Sequence, residues 1–432
     1  MVGLARSGVA VALALRERGE EVIGMDTGTP GGTEALAGAG VELHEGEDGM
    51  ALLERVRAVV KSPGVPARAP VIAAARAAGK EVLGELELGW RMLANEFVAV
   101  TGTNGKTTTV ELIGHIHREA GFPVAVAGNV GAAVSGLVGK LDKRTMVVCE
   151  VSSFQLEDTL AFAPEAAVLL NLTPDHLDRH GTFERYRTAK LEIFARQGND
   201  DIAVAPLGLG VEDLGGCARR VCFGEGAGAA LSLRAGELWW EERPLLRVDE
   251  ISLRGRHNVQ NAMAAAAVCL ARGIHVEAVR AGLRSFAGVK HRLEELARKD
   301  GVLWVNDSKA TNVASTLVAL DAFAGSAIHL ILGGQGKGQD FAALGDPVAQ
   351  SCTAVYLIGE DAPLIAAALE GGGSPVHQCR DLEQAVRQAR EAAVPGDVVL
   401  LSPACASFDQ FEDFEARGER FRELILHRAP SG

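Results

Sequence analysis

Short apolar runs recur along the chain: VIGM (22–25), FVAV (97–100), TMVVCEV (145–151), AAVLLNL (166–172), DIAVA (201–205), VLWVND (302–307), IHLILGG (328–334), AVYLIG (354–359) and DVVLLSP (397–403). Runs this short and this continuously apolar read as strands buried on both faces, and the helical stretches between them predict βαβ units and parallel sheets. The fold class is therefore α/β, built of doubly wound domains. The pattern restarts twice, which places three domains at 1–92, 93–288 and 289–432. The first holds a glycine turn, an acidic strand end at Asp26 and a KSPGVP turn (61–66). The second opens on FVAVTGTNGKTTT and runs through HNVQNAMAAAAVCLARG (257–273), and the third opens near VKHRLEE (289–295). The polar, Trp-bearing stretch from about 207 to 255 reads as short strands and turns attached to the middle domain. In such folds ligands bind beyond the carboxyl ends of the strands, so the residues just after each run are the candidates.

Composition narrows the chemistry. The 432 residues suit three domains better than one core. A formal charge of −13 excludes a broad nucleic-acid or anionic-membrane surface, so any phosphate must bind in a local pocket. Glycine is in excess, 51 residues against a usual ~7%, as tight βα turns and close backbone approaches to ligand require. The seven scattered cysteines form no C-x-x-C pair and fit a reducing cytosol. No stretch reaches 18 strongly apolar residues. The opening MVGLARSGVAVALALRERG lacks a cleavage signal and reads as a buried amphipathic helix after a glycine turn.

VAVTGTNGKTTT (98–109) is a strand, a glycine loop, a lysine, a hydroxyl residue and a helix start. Backbone N–H groups of Gly102, Thr103, Asn104, Gly105 and Thr108 are placed to cradle phosphate, Lys106 to neutralise β/γ charge, and Thr107 to ligate Mg²⁺. Two residues rather than four separate the glycines, so this is a variant phosphate loop. Glu150, at the end of TMVVCEV, is the carboxylate that such a loop needs for its metal; taken alone it is also simply a polar strand terminus.

CEVSSFQLE (149–157), NLTPDHLDRHGTFERYRTAK (171–190) and HNVQNA (257–262) follow the loop in order, and NDSKATN (306–312), GGQGKGQDF (333–341) and SPACASFDQF (402–411) close the chain. Together they resemble the Mur ligase family of ATP-dependent amino-acid ligases, and the last three resemble its D-glutamate-adding branch. The resemblance covers all three domains and implies a Rossmann-like first domain, a P-loop ATPase-like second and a Rossmann-like third. It implies an ATP-dependent amide ligase acting in cytoplasmic peptidoglycan precursor synthesis, with UDP-N-acetylmuramoyl-L-alanine and D-glutamate as substrates, an acyl-phosphate intermediate and Mg²⁺, two ions being expected. A monomer without nucleic-acid or membrane partners is expected, and domain closure, since ATP and D-glutamate residues lie on different domains. A sibling ligase for another amino acid, including the folylpolyglutamate synthetase type, stays open, as does a P-loop regulator or oxidoreductase.

By that resemblance Lys106, His176, Lys190, Lys309 and Asp307 carry the chemistry. Thr107, Glu150, His176 and Lys190 would sit in the metal shell, Lys190 as an N-carbamate. Carbamylation requires a partly buried, unprotonated amine. Asn261 would contact adenine, with Asn258 assisting, and Arg292 would lie near the nucleotide. Thr311, Lys337, Ser407 and Phe414 would surround D-glutamate; GGQGKG by itself reads equally as a flexible turn or a second phosphate loop.

GLARSG (3–8) with Asp26 imitates a dinucleotide fingerprint, with Ala5 in place of its second glycine. The resemblance instead assigns UDP-sugar to Arg6, Ser7, Asp26, Thr27, Ser62, Asn129 and Ser152. Only Met1 and Val2 precede the glycine turn, so the central strand of this domain is almost absent. Unpaired ladder groups and a core gap are expected there, from a start internal to the gene or a poorly ordered uridine domain.

Overall fold

The computed structural model describes residues 1–209, 214–226 and 228–426. Contacts divide the chain into two compact units, one of residues 1–252 and 256–286, the other of 253–255 and 287–432. Mixed α/β architecture holds in both. All nine apolar runs form strands, and eight of these nine are fully or almost fully buried along their length, as parallel strands covered by helices must be.

The first unit carries a nine-stranded sheet. Its parallel part runs, in spatial order, Leu231–Arg234, Arg219–Glu225, Ile202–Pro206, Ala166–Leu169, Phe97–Thr101, Met146–Glu150 and Val124–Gly128. Glu237–Trp240 and Arg243–Arg247 extend one edge as antiparallel strands. The stretch predicted as short strands is thus an extension of the main sheet; 210–213 and 227 lie outside the described residues. Helix Lys106–Glu119 follows strand Phe97–Thr101, and the chain then reaches the strand two places away before Met146–Glu150 fills the gap. After Met146–Glu150 the path moves to the other side of Phe97–Thr101. That reversal opens a crevice at the carboxyl ends of these two strands.

Where the first strand is expected, Met1 to Gly3 pair with two neighbouring strands. Val2 bridges Met25 on one side and Lys61 on the other, both parallel, joining the pairs Ile23–Asp26 with Glu42–Glu45 and Ala58–Lys61 with Glu81–Gly84. Val2 N–H donates to Val60 O (2.8 Å), Ser62 N–H to Val2 O (2.9 Å), Met25 N–H to Met1 O (2.9 Å) and Gly3 N–H to Met25 O (2.9 Å). Against the expected run of unpaired groups and a core gap, Met1, Val2 and Gly3 bond to both neighbours, and Val2 and Leu4 are buried in the two adjoining apolar clusters. Helix Arg6–Glu17 follows, burying Gly8, Val11, Ala12 and Ala14, so the opening apolar run is a packed helix.

The second unit holds a six-stranded sheet ordered Glu294–Lys299, Val302–Asn306, Val398–Leu401, Ile328–Gly333, Cys352–Ile358, Val376–Gln378, parallel except for the first. The adjacency of Val302–Asn306, Val398–Leu401 and Ile328–Gly333 brings the turns after them side by side. Those turns are NDSKATN (306–312), SPACASF (402–408) and GGQGKG (333–338), well separated in sequence.

Candidate active site

The phosphate loop bends through two left-handed glycines. Gly102 has φ 155° and Gly105 φ 85°. At Gly105 an added Cβ would lie 2.1 Å from Asn261 Oδ1, so only glycine lets the buried Asn261 side chain press against the loop. Asn261 in turn donates to Asn258 Oδ1 at 3.1 Å. Asn104 N–H donates to Asn171 Oδ1 (2.9 Å), and Asn171 donates back to Asn104 O (3.0 Å), holding the exposed part of the loop. Lys106 Nζ lies over the loop, donating to Gly102 O and Thr103 O at 3.0 Å. Thr108 is buried in the first turn of the helix.

Glu150 pairs in register with Val100 on one side and Gly128 on the other, which puts its carboxylate beside the loop. Thr107 Oγ1 donates to Glu150 Oε2 at 2.8 Å, and Asn129 Nδ2 to Glu150 Oε1 at 3.0 Å. Lys190, on helix Phe183–Leu191, is buried, donating to Gly102 O (2.8 Å) and Thr101 Oγ1 (3.5 Å). Burial, and secondarily the positive charge of Lys106, lowers its ammonium from the usual 10.5 to about 7. His176 stands exposed at φ 50°, its ring 4.8 Å from that of Phe154.

Tyr186 was not anticipated. Its hydroxyl hydrogen-bonds Thr103 Oγ1 (2.9 Å), and Lys190 Nζ lies 4.8 Å above its ring. The available signal was the i,i+4 spacing of YRTAK, which sets both residues on one helix face.

A cleft of about 360 Å³ opens in the same unit, lined by Gly3, Ser7, Asp26, Ser62–Val65, Glu85, Asn129 and Gln155 among others. It gathers four of the seven residues expected for the sugar nucleotide: Ser7, Asp26, Ser62 and Asn129. Ser7 Oγ and Ser62 Oγ are 3.1 Å apart, and Asp26 accepts from Leu4 N–H (2.7 Å) and Gly28 N–H (2.9 Å). Ser152 caps helix Ser153–Leu156 through a capping box with Gln155, so of that pair it is Gln155 that lines the cleft. Arg6 reaches Gly131 O (3.4 Å), and Thr27 is exposed beyond the strand end.

In the second unit, Gln335 and Ala406 exchange backbone hydrogen bonds (2.9 and 3.0 Å), locking GGQGKG to SPACASF. Arg417, also unanticipated, is buried under both: it donates to Ser308 Oγ (2.9 Å), Ser308 O (2.9 Å) and Cys405 O (3.0 Å). Around these turns, Lys309 Nζ lies 5.8 Å from the Phe414 ring and the exposed Lys337 5.1 Å from the Phe408 ring. Thr311 is half-buried, its N–H on Lys309 O. Ser407 Oγ is buried without a hydrogen-bond partner among the described residues, a donor free for a ligand. Arg292, near the start of this unit, helps to stabilise the Asp307 carboxylate electrostatically.

Asp307 faces inward. Its oxygens accept from Ser402 Oγ (2.7 Å) and Leu293 N–H (3.1 Å), and burial raises its carboxyl from 3.8 to about 7. Between those values the folded chain binds more protons than the unfolded chain, so stability falls as pH rises through the window and levels off above it. Asp307→Asn is expected to remove roughly 4 kcal/mol of that pH dependence. Thermal unfolding from pH 4 to 8 reads it: the variant's curve should be the flatter, and equal slopes reject the assignment.

A parallel sheet whose glycine loop opens a helix, with a carboxylate at the next strand end, defines a P-loop type nucleotide-binding α/β protein. Three family models match: Mur ligase middle domain over residues 100–269, Mur ligase glutamate ligase domain over 291–405, and Mur ligase MurD-like N-terminal domain over 1–84. The UDP-N-acetylmuramoylalanine--D-glutamate ligase of Pelotomaculum thermopropionicum is 42% identical over 442 residues, covering 99% of this chain and 96% of its own. That of Anaeromyxobacter dehalogenans is 43% identical over 457 residues, covering 99% and 97%. Among solved structures, the UDP-N-acetylmuramate-alanine ligase of Thermotoga maritima superposes with a TM-score of 0.62 at 21% identity, covering 98% of this chain and 97% of its own. The chain belongs to the Mur ligase family.

Proposed function

We propose that this chain is an ATP-dependent ligase joining D-glutamate to UDP-N-acetylmuramoyl-L-alanine in peptidoglycan precursor synthesis, working in the cytoplasm. The observation that carries it is the full-length identity to relatives bearing that activity in their names. The reaction has two steps. The alanyl carboxylate attacks the γ-phosphorus of ATP and expels ADP, giving an acyl phosphate. The D-glutamate amine then attacks the acyl carbon, loses a proton and expels phosphate. Both steps bring like charges or poor partners together, so positioning and charge neutralisation supply most of the acceleration.

Loop N–H groups and Lys106 are assigned to the ATP phosphates. Lys106 donates to two loop carbonyls, contacts that a phosphate oxygen can replace. Asn261, held against Gly105, is assigned to the nucleotide base side. Mg²⁺ keeps several waters and asks for one or two carboxylates with a hydroxyl. The Thr107–Glu150 pair is that donor set, although no group of three or more His, Cys, Asp or Glu converges among the described residues. His176 and a carbamylated Lys190 would complete two metal shells. When bound, the metal neutralises developing phosphoryl charge. A Lys190 ammonium near 7 supports carbamylation, since a large share of the amine is neutral at working pH.

The cleft of Ser7, Asp26, Ser62 and Asn129 is assigned to the sugar nucleotide. Thr311, Lys337, Ser407 and Phe414, with Lys309, are assigned to D-glutamate; its carboxylates suit the two lysines and the unpartnered Ser407 hydroxyl. Asp307, buried beneath these turns, is a positioning residue that ties Ser402 to the 291–293 segment. Phosphate release is expected only when ATP, Mg²⁺, UDP-N-acetylmuramoyl-L-alanine and D-glutamate are all present. Equal release with L-glutamate, meso-diaminopimelate or no amino acid would refute the proposal.

A further inference from the structure

Lys61 and Asp158 form an ion pair sealed from solvent: Nζ to Oδ2 is 2.5 Å, with side-chain exposures of 0% and 2%. Asp158 also faces Arg76 at 3.4 Å, the other charged group in contact with the pair among the described residues. A buried pair of this kind is weak grounds for stability, because apolar side chains of similar volume often fold as well. Its partners suggest another task. Lys61 ends strand Ala58–Lys61 and also donates to Val65 O at 2.9 Å, closing the KSPGV turn on itself. The enclosed residues Ser62, Pro63, Gly64 and Val65 form one wall of the 360 Å³ cleft. Asp158 follows helix Ser153–Leu156, which carries Gln155 on another wall of the cleft. Asp158 is seated against the end of the neighbouring strand: a Cβ on Gly84 would come 2.9 Å from its Cβ.

We infer that Lys61 and Asp158 are positioning residues for the sugar-nucleotide cleft, one ammonium fixing the shape of the SPGV turn and its spacing from Gln155. The inference rests on the reading of that cleft as the UDP-sugar site. An ion pair suits the task better than an apolar contact because the amine directs separate N–H groups at Asp158 and Val65 O, whereas apolar packing leaves the turn carbonyl undirected.

The test uses the full chain with Lys61→Met, Asp158→Asn and the double variant Lys61→Met/Asp158→Leu. Lys61→Met should lower Tm, since it strands a buried carboxylate, and the double variant should regain most of that loss. Both should bind UDP-N-acetylmuramoyl-L-alanine at least about tenfold more weakly by calorimetry, with KM for ATP and D-glutamate within about twofold of wild type. Asp158→Asn keeps the shape and should weaken binding by about threefold or more even if the double variant does not fold. A folded double variant with the wild-type Kd, or Asp158→Asn with the wild-type Kd, overturns the inference. If the wild-type chain binds ATP but not UDP-N-acetylmuramoyl-L-alanine, the reading of the cleft fails first and the inference with it.

Discussion

Lys190→Ala is expected to lower kcat by about 10²–10³, the loss typical of removing one preorganised electrostatic stabiliser. Formate or acetate added to the variant should restore part of the rate. The expectation follows from the surroundings of the amine. It is enclosed by Gly102 O, Thr101 Oγ1 and the Tyr186 ring, and the Lys106 ammonium repels its charge. Burial and Lys106 disfavour an ammonium there more than Asp175 and Glu150 favour it, and a carbamate turns the Lys106 repulsion into attraction. Because the neutral amine is the form that takes up CO₂, activity at limiting bicarbonate should rise as pH increases through about 7. Phosphate release by the variant, with and without added carboxylic acid, reads the effect. An unimpaired variant, or one that no small carboxylic acid rescues, would show that Lys190 does not act as a carboxylate.

Gly105→Ala should all but abolish ATP binding and also destabilise the first unit. A left-handed backbone at φ 85° costs an alanine about 1–2 kcal/mol. The new methyl group would meet Asn261 Oδ1 at 2.1 Å, and pushing a buried amide aside adds about 1–3 kcal/mol. Both distortions fall on the residues that cradle phosphate, so the affinity for ATP should drop by about two orders of magnitude or more. Gly121→Ala is the matched control. It lies just past the end of the same helix at φ 76° with nothing within 4 Å of the added carbon, so it should show the backbone cost alone and normal ATP binding. ATP titration and Tm of the two variants give the comparison; equal behaviour would mean that the Asn261 contact does not shape the loop.

Much of the first-unit site was legible because it is local. The order strand, glycine loop, Lys106, Thr107 is written in consecutive residues, and backbone hydrogen bonding within such a segment leaves few alternatives. Long apolar runs such as FVAVT and IHLILG announce themselves because a strand covered on both faces has no polar side to show. Strands such as Glu42–Glu45 and Glu294–Lys299 escaped for the opposite reason: partly exposed, with charged ends, they carry no buried-strand pattern.

Tertiary structure decided what lies beside what. Nothing in the order of NDSKATN, GGQGKG and SPACASF says that they are neighbours; they meet because Val398–Leu401 inserts between the other two strands, after which Arg417 gathers their carbonyls. Arg417, Tyr186 and the Lys61–Asp158 pair look in sequence like solvated or ordinary side chains, and only burial reveals them as polar groups whose partners are fixed. Asp307 moved the other way, from an expected place at the reacting end to the interior. Met1, Val2 and Gly3 join two strand pairs, since successive residues of a parallel strand bond to opposite neighbours: Val2 to the 58–61 side, Met1 and Gly3 to Met25. Residue types and local order therefore determined the chemistry available to this protein, while burial and strand order, which depend on contacts far apart in sequence, determined which groups meet and in what protonation state.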